Sequence, residues 1–375
     1  MQKVKFMHLA DTHLRDAAMG SSSRGPDFTF AFNSAVDIAV EQGIEHILHC
    51  GDILNVARPS ALNFKDMLSI HLRLQKHGIC MHTITGNHDF CRPHWIESLP
   101  TAPAGQTGGI LLVDNKTFMI GHGKNSLKVV ALPTLSEDEF LARAADIEGG
   151  DILMWHGPIR EFKPVIQHAL SVEQLPVSKF KAILLGDIHA WKYLRMPNGC
   201  LIGYPGATEL VNRNDPLEYY TAVFEVDPKA KEFPEPQKMP IKLARKHLAR
   251  RIMTSEDMDR VLKELKKLTE PTLMLVAYNP AVEAVDDRLR LAAGDNVMLR
   301  TQPLFSGQPM GAIAWPSMAD ADAAVSRTPA SFVSHFVPVG SIESQVLTQL
   351  CDEEAAHGQI INDYFAGLEA ELASL

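Results

Sequence analysis

The chain has no Cys-x-x-Cys pair, no internal repeat and no apolar run near the ~18 residues a membrane span requires. Each absence removes a class of protein. Its five cysteines (Cys50, Cys80, Cys91, Cys200 and Cys351) are odd in number and scattered over 375 residues. That argues against a disulfide framework or zinc knuckle and for reduced thiols in a cytoplasmic setting. The first apolar stretch is broken at Asp11, too early for a signal-peptide core, and no membrane association is expected. Hydrophobic residues at 46% and charged residues at 22% are ordinary globular values, which excludes wholesale disorder, collagen and coiled coil. At roughly 150 residues per domain the length predicts about two to three units.

Positive charge is also in deficit overall, with 36 Lys and Arg against 45 Asp and Glu for a net −9. Taken alone, that total speaks against a nucleic-acid partner. The distribution does not. Lys229 to Lys267 holds 12 basic and 6 acidic residues, a local +6 that leaves −15 for the rest. Inside it, Lys238, Lys242, Arg245, Lys246, Arg250 and Arg251 occur without an intervening acid, whereas the last 35 residues carry seven acids and no Lys or Arg. A basic island and an acidic tail predict separate partners.

Apolar runs at Lys5–Ala10, His46–Cys50, Cys80–Thr85, Leu127–Leu132, Ile152–His156 and Ala182–Leu185 read as buried strands, with helical spacing over Phe30–Glu41 and Leu62–Gln75. Leu201–Tyr204 and Tyr220–Val226 read as two more strands. The pattern predicts an α/β sandwich over residues 1–226 with its functional loops at strand ends. Residues 227–240, with four prolines, read as a linker. Residues 241–301 read as a small α/β module: Thr254 and Asp257 open a helix carrying Met258, Val261, Leu262, Leu265 and Leu268. Thr272–Tyr278, Ala281–Ala293 and Val297–Thr301 then read as strand, helix and strand. Residues 302–337 are linker-like. Residues 338–375 predict a helical tail striped by Ile361, Phe365, Leu368, Leu372 and Leu375, suited either to a partner's groove or to packing on its own module.

Five segments place Asp, Asn or His just after an expected strand: Asp11-Thr-His13, Gly51-Asp52, Gly86-Asn87-His88-Asp89, Trp155-His156-Gly157 and Gly186-Asp187-Ile-His189. Any one is weak, because most of the 16 histidines are expected at the surface or satisfied in the core. Their recurrence at one kind of position argues for a shared centre, with the neighbouring glycines allowing tight turns. Carboxylates, imidazoles and an amide without thiolate suit Mn²⁺, and less well Mg²⁺, Fe²⁺ or Zn²⁺. The set is too large for one ion and fits two sharing a carboxylate, the arrangement that performs phosphoester hydrolysis.

The order of these segments resembles that of calcineurin-like metallophosphoesterases. The words around them, His-Leu-Ala-Asp-Thr-His-Leu at 8–14, Gly-Asp-Ile-Leu at 51–54, His-Gly-Pro-Ile at 156–159, Leu-Gly-Asp-Ile-His at 185–189 and Tyr-Pro-Gly-Ala-Thr-Glu at 204–209, are similar to those of SbcD-type DNA repair nucleases. The resemblance covers about the first 210 residues. It implies a four-layer α/β-β/α sandwich with a capping module, and a nuclease subunit that partners DNA and an SbcC-type ABC ATPase. It further implies a homodimer through the helix bearing Phe64, Met67, Leu68 and Leu72. Asp11, His13, Asp52 and His189 would hold one divalent ion, with Asp52 bridging and Asn87, His156 and Asp187 completing a second. His88 would be the general acid, and Asp89 would either orient it or cap the next helix. Two departures stand out: Asp187 where many relatives have His, and Asn55 where some have a His that manages the DNA strand. The first favours Mn²⁺, or Mg²⁺, over Zn²⁺.

Arg58, Arg92, Arg160 and Lys192 follow motif loops and either touch phosphates or are solvated; Arg250 and Arg251 are the island's leading DNA contacts. His8, His46 and His49 are expected in packing or local hydrogen bonds, and His122 in a turn. Exo- or endonucleolytic DNA cleavage is the leading reading. A metallophosphoesterase for a small or phosphoprotein substrate, or a scaffold without catalysis, are the alternatives.

Overall fold

The computed structural model describes residues 3–91, 94–102, 104, 107–162 and 169–304. Arg92, most of the linker-like segment and the predicted C-terminal helix lie outside these residues. Short all-apolar stretches form strands buried on both faces, as parallel sheets require. The first sheet contains β1 (Val4–Leu9), β2 (His46–His49), β3 (Cys80–Thr83) and β4 (Gly109–Leu112). The second contains β5 (Lys116–His122), β6 (Asn125–Ala131), β7 (Ile152–His156), β8 (Ala182–Gly186), β9 (Lys192–Arg195) and β10 (Leu201–Tyr204). β11 (Tyr220–Val226) and β12 (Gln237–Pro240) return to the first. The orders are β12-β11-β1-β2-β3-β4 and β5-β6-β7-β8-β10-β9. Within them β1 to β4 run parallel, as do β6, β7, β8 and β10.

Phe6, Leu48, Cys50 and Ile84 from the first sheet meet Val129, Met154, Leu184 and Leu201 from the second in one buried cluster, so the two sheets face each other. Helices cover the outer faces. α1 (Gly25–Glu41) and α2 (Ala61–Lys76) pack Phe28, Phe32, Val36, Met67, Ile70 and Leu74 onto the first sheet, and α3 (Glu137–Asp146) packs Phe140 and Ala144 onto the second. Four layers result, as the resemblance implies. α1 begins well before Phe30 because proline is tolerated in a helix's first turn, where its missing N–H costs nothing. Ser60 caps α2 by accepting from Asn63 N.

The stretch read as a linker is not one throughout. Its last four residues are β12, an edge strand paired with β11 through Thr221–Met239 and Ala222–Lys238. An edge position is where a strand ending in proline can sit. Beyond it lie β13 (Lys246–Ile252), α4 (Ser255–Leu265), β14 (Thr272–Tyr278), α5 (Val285–Ala292) and β15 (Val297–Pro303). α5 is shorter than the expected Ala281–Ala293, starting after Ala284 at φ 51°. The three strands form a parallel sheet, β13-β14-β15. Alternation along β14 divides its work: Met274 and Val276 pack with Met258 and Val261 of α4, while Leu273 and Leu275 join the cluster under α1 and α2. The small sheet therefore belongs to the same compact unit as the two large ones.

Candidate metal centre

The candidate ligands all lie at the C-terminal ends of parallel strands, where open α/β sheets collect their functional loops. Asp11 and His13 follow β1, Asp52 follows β2 and Asn87 follows β3; His156 ends β7, and Asp187 and His189 follow β8. Main-chain bonds tie these loops together before any side chain acts: Asp11 N donates to Gly51 O (3.1 Å) and His13 N to Asp52 O (3.0 Å). Asp187 N lies 3.1 Å from both oxygens of Asp11.

Backbone strain is concentrated here. Among the described residues seven non-glycine positions have positive φ, and four are candidate ligands: Asp11 (53°), His13 (43°), Asp52 (57°) and Asp187 (104°). Such conformations cost about 1–3 kcal/mol each and persist where the surroundings over-determine them. The adjacent glycines serve proximity more than turning. A Cβ on Gly86 would sit 2.1 Å from Asp52 Oδ1, and one on Gly186 2.0 Å from Cys50 O and 2.8 Å from His156 Nδ1.

Side chains converge accordingly. Ligand atoms of Asp11, His13 and His189 lie within 4.8 Å of one another, as do those of Asp11, Asp52 and His156, and those of His13, Asp52 and His88. Asp52 is central: its Oδ2 is 3.5 Å from both His13 Nε2 and His156 Nε2. Asn87 Oδ1 lies 2.9 Å from His156 Nε2. Asp187 joins no such triad, although its Oδ2 is buried without a hydrogen-bond partner among the described residues. Both ring nitrogens of His13 are likewise buried without one. Groups this costly to leave unpaired fit a centre built for cations.

The electrostatics agree. Burial lifts the Asp11 carboxyl to about 7; His156 and His189 oppose the lift, while Asp52 and Asp187 add to it. Burial alone would depress His156 and His189. Carboxylates outweigh it, Asp52 foremost for His156 and Asp215 for His189, and hold each at about 9. Protons here take the place of other positive charge. His13 is driven well below its usual range by burial and then by His189.

His88 is half-buried at the rim. Its main-chain N–H donates to Asp52 Oδ1 (2.9 Å), and its ring Nδ1 lies 3.0 Å from the main-chain oxygen of Asn55. Asp89 does not orient it. That carboxylate turns inward and accepts from Ile53 N (3.0 Å), Leu54 N (2.8 Å) and Gly86 N (3.4 Å), bracing one metal loop against another. Adjacency in sequence misleads because the two side chains take different partners on the same segment, His88 the Asn55 carbonyl and Asp89 the N–H groups of Ile53 and Leu54. Asn55 is engaged twice, since its Oδ1 also accepts from Arg15 at 2.5 Å.

The expected DNA contacts fare unevenly. Arg58 and Arg251 are exposed. Arg160 Nη2 donates to Ala169 O (3.0 Å) and Lys192 Nζ to Phe162 O (2.8 Å), so both are partly committed. Arg250 is paired with Glu264 through two hydrogen bonds and is not a free cation. Elsewhere in the island Arg245 pairs with Asp27, and Lys238 Nζ sits 3.7 Å from the Tyr220 ring centroid. His8 and His49 are buried with local partners, Tyr193 and Thr12 among them, and His46 meets His82 at 3.3 Å. His122 ends β5 at a hairpin and pairs with Glu45.

Sequence reasoning missed a set of supports whose partners lie far away in the chain. Asp215 holds His189. Arg24, fully buried, bonds Asp27 (2.6 Å) and Glu209 (2.9 Å), and Glu209 also faces His247 of β13 at 3.1 Å. The Gly-Ala-Thr-Glu word held a signal for Glu209, but nothing local marked Arg24 or His247.

Known proteins resemble part of this chain. The DNA double-strand break repair protein Mre11 of Thermoplasma acidophilum is 28% identical over 224 residues, 56% of this chain and 57% of that protein. Its namesake from Methanocaldococcus jannaschii is 26% identical over 225 residues, 58% of this chain and 59% of that one. The Methanosarcina acetivorans protein of that name is 26% identical over 226 residues, 58% and 36% respectively. This chain thus spans little more than half the length of these relatives, or less. The calcineurin-like phosphoesterase superfamily domain matches residues 4–229, a span that runs from β1 past β11 and takes in every loop of the centre, and the chain belongs to that superfamily.

Proposed function

We propose that this chain hydrolyses DNA phosphodiesters at a two-cation centre, as an exonuclease, an endonuclease or both, in repair or recombination. The observation that carries the reading is the convergence of Asp11, His13, Asp52, Asn87, His156 and His189 beside His88 at the paired sheet ends. The relatives named for double-strand break repair support DNA as the substrate. Asp11, His13 and His189 hold one cation and Asn87, His156 and Asp187 the other, with Asp52 between them. When bound, such a pair acidifies a water and neutralises charge on the phosphate. Mn²⁺ suits this mixed set of carboxylate, imidazole and amide, and Mg²⁺ is the second choice. His88 protonates the leaving oxygen, its ring held by the Asn55 carbonyl.

The test is degradation of end-labelled linear DNA by the full chain with Mn²⁺, beside EDTA and His88→Ala controls. Cleavage that needs Mn²⁺ and falls at least ~100-fold in His88→Ala supports the reading. Two bound Mn²⁺ ions without DNA cleavage, even with an ATPase partner, would overturn it. Among the basic candidates, exposed Arg58 and Arg251 carry the duplex backbone. Neutralising each should reduce the salt slope of DNA binding by about 0.9.

The partners we propose are an SbcC-type ABC ATPase, docked by the acidic tail, and a second copy of this chain. Leu62 and Leu72 of α2 and Phe30 of α1 are exposed at 49%, 48% and 41% and support a dimer face, whereas Met67 is spent in the chain's own core. Leu62→Lys with Leu72→Lys should halve the mass in solution, and deletion of 361–375 should abolish capture of the ATPase while sparing nuclease activity.

A further inference from the structure

Among the described residues the candidate imidazole ligands differ in what holds the ring nitrogen turned away from the centre. His156 Nδ1 faces a main-chain oxygen, Cys50 O, at 2.7 Å. His13 has no hydrogen-bond partner on either nitrogen, only the Asp52 carboxylate 3.5 Å from Nε2. His189 alone of the three is held by a carboxylate: its Nδ1 lies 2.9 Å from Asp215 Oδ2, with the two side chains only 14% and 11% exposed.

That carboxylate is fixed before it meets the ring. Asp215 closes a tight turn in which its N–H donates to Asn212 O (3.0 Å) and its Oδ2 accepts from Asn212 N (2.7 Å). The segment leading into the turn is itself bound to the metal loops, with Ala207 N donating to His189 O (3.2 Å) and Thr208 N to Asp11 O (3.4 Å). The turn, the ring and the first metal loop form one connected frame. With Nδ1–H donated to Asp215, Nε2 is the nitrogen left for the atoms of Asp11 and His13 within 4.8 Å.

We propose that Asp215 is a positioning residue for His189. It fixes the ring's tautomer and plane, strengthens Nε2 as a donor, and so governs retention of the cation shared by Asp11, His13 and His189. The second cation, whose imidazole His156 is oriented by the main chain, does not depend on it. This inference rests on the two-cation reading above, but Asp215 itself touches neither cation nor substrate.

The experiment is a calorimetric Mn²⁺ titration of the full chain, wild type against Asp215→Asn and Asp215→Glu. The amide oxygen of Asp215→Asn can still accept from Asn212 N and from His189 Nδ1–H, so the turn is preserved and the variant removes the negative charge behind the ring. One of two binding steps should weaken about 10–100-fold in Asp215→Asn, the other should hold, and Asp215→Glu should recover part of the loss. Two unchanged steps would reduce Asp215 to a turn residue, and equal weakening of both would mark a general structural defect; either overturns the proposal. A measurement without any variant stands beside these: a long-range ¹⁵N–¹H spectrum of the Mg²⁺-bound wild type should show His189 protonated at Nδ1, and protonation at Nε2 would overturn the proposal. A wild-type chain that binds no Mn²⁺ would instead bring down the two-cation reading itself.

Discussion

His88 Nδ1 is held by the main-chain oxygen of Asn55 at 3.0 Å, while the neighbouring Asp89 is spent on the N–H groups of Ile53 and Leu54 and not on His88. A proton donor anchored on a carbonyl keeps its orientation whichever side chain occupies position 55.

Asp89→Ala should therefore act on the fold. Two to three main-chain N–H groups lose a buried acceptor, at about 1–3 kcal/mol for each left unsatisfied. Denaturant unfolding should show a loss of at least about 2 kcal/mol. Unchanged stability with a shifted pH–rate profile would mean that Asp89 works through His88 after all.

Gly86→Ala tests the proximity argument. The added methyl would fall 2.1 Å from Asp52 Oδ1, so the central carboxylate must move. Mn²⁺ affinity should drop at least tenfold, by about 1.4 kcal/mol, with little change in the far-ultraviolet circular dichroism. Normal binding in this variant would show that the loop has slack.

Glu209→Ala removes the acceptor shared by Arg24 and faced by His247. Arg24 keeps Asp27 as a partner but loses one of the two carboxylates that balance a fully buried guanidinium, at a cost of about 3 kcal/mol. The variant should unfold at much lower denaturant concentration, and a double-mutant cycle with Arg24→Met should recover much of the loss. A cost under about 1 kcal/mol would mean that water reaches the pair.

His82 supplies a pH test. Burial, with a smaller contribution from His46, lowers its imidazole to about 3. Between about 3 and 6.5 the unfolded chain takes up a proton that the folded one refuses, so this residue's contribution to stability is lost as pH falls through that window. Compared with wild type, His82→Gln should flatten the dependence of unfolding free energy on pH below about 6.5 by up to about 1.4 kcal/mol per unit. Parallel curves would place the ring in solvent.

What the sequence makes legible follows from the range of the forces involved. β7 and β8 are continuous apolar runs because both faces are covered, and the polar residue ending each run is the ligand, so strands and metal loops can be read together. β12 cannot be read that way. Gln237-Lys-Met-Pro has no apolar run, and only pairing with β11 makes it a strand. Asp215 and Arg24 escape for a related reason: their value lies in His189, 26 residues away, and Glu209, 185 residues away. Arg250 misleads in the opposite sense, since a basic island read along the chain says nothing of the carboxylate that α4 brings across to it.

The candidate ligands are divided between two facing sheets: Asp11, His13, Asp52 and Asn87 from one, and His156, Asp187 and His189 from the other. The sandwich interior therefore acts as a gauge block. Leu48, Cys50, Ile84, Met154 and Leu184 are not among the candidate ligands, yet their combined bulk fills the space between the two half-sites. A change of bulk at Leu184, a residue outside every ligand loop, would therefore shift one half of the candidate ligand set against the other.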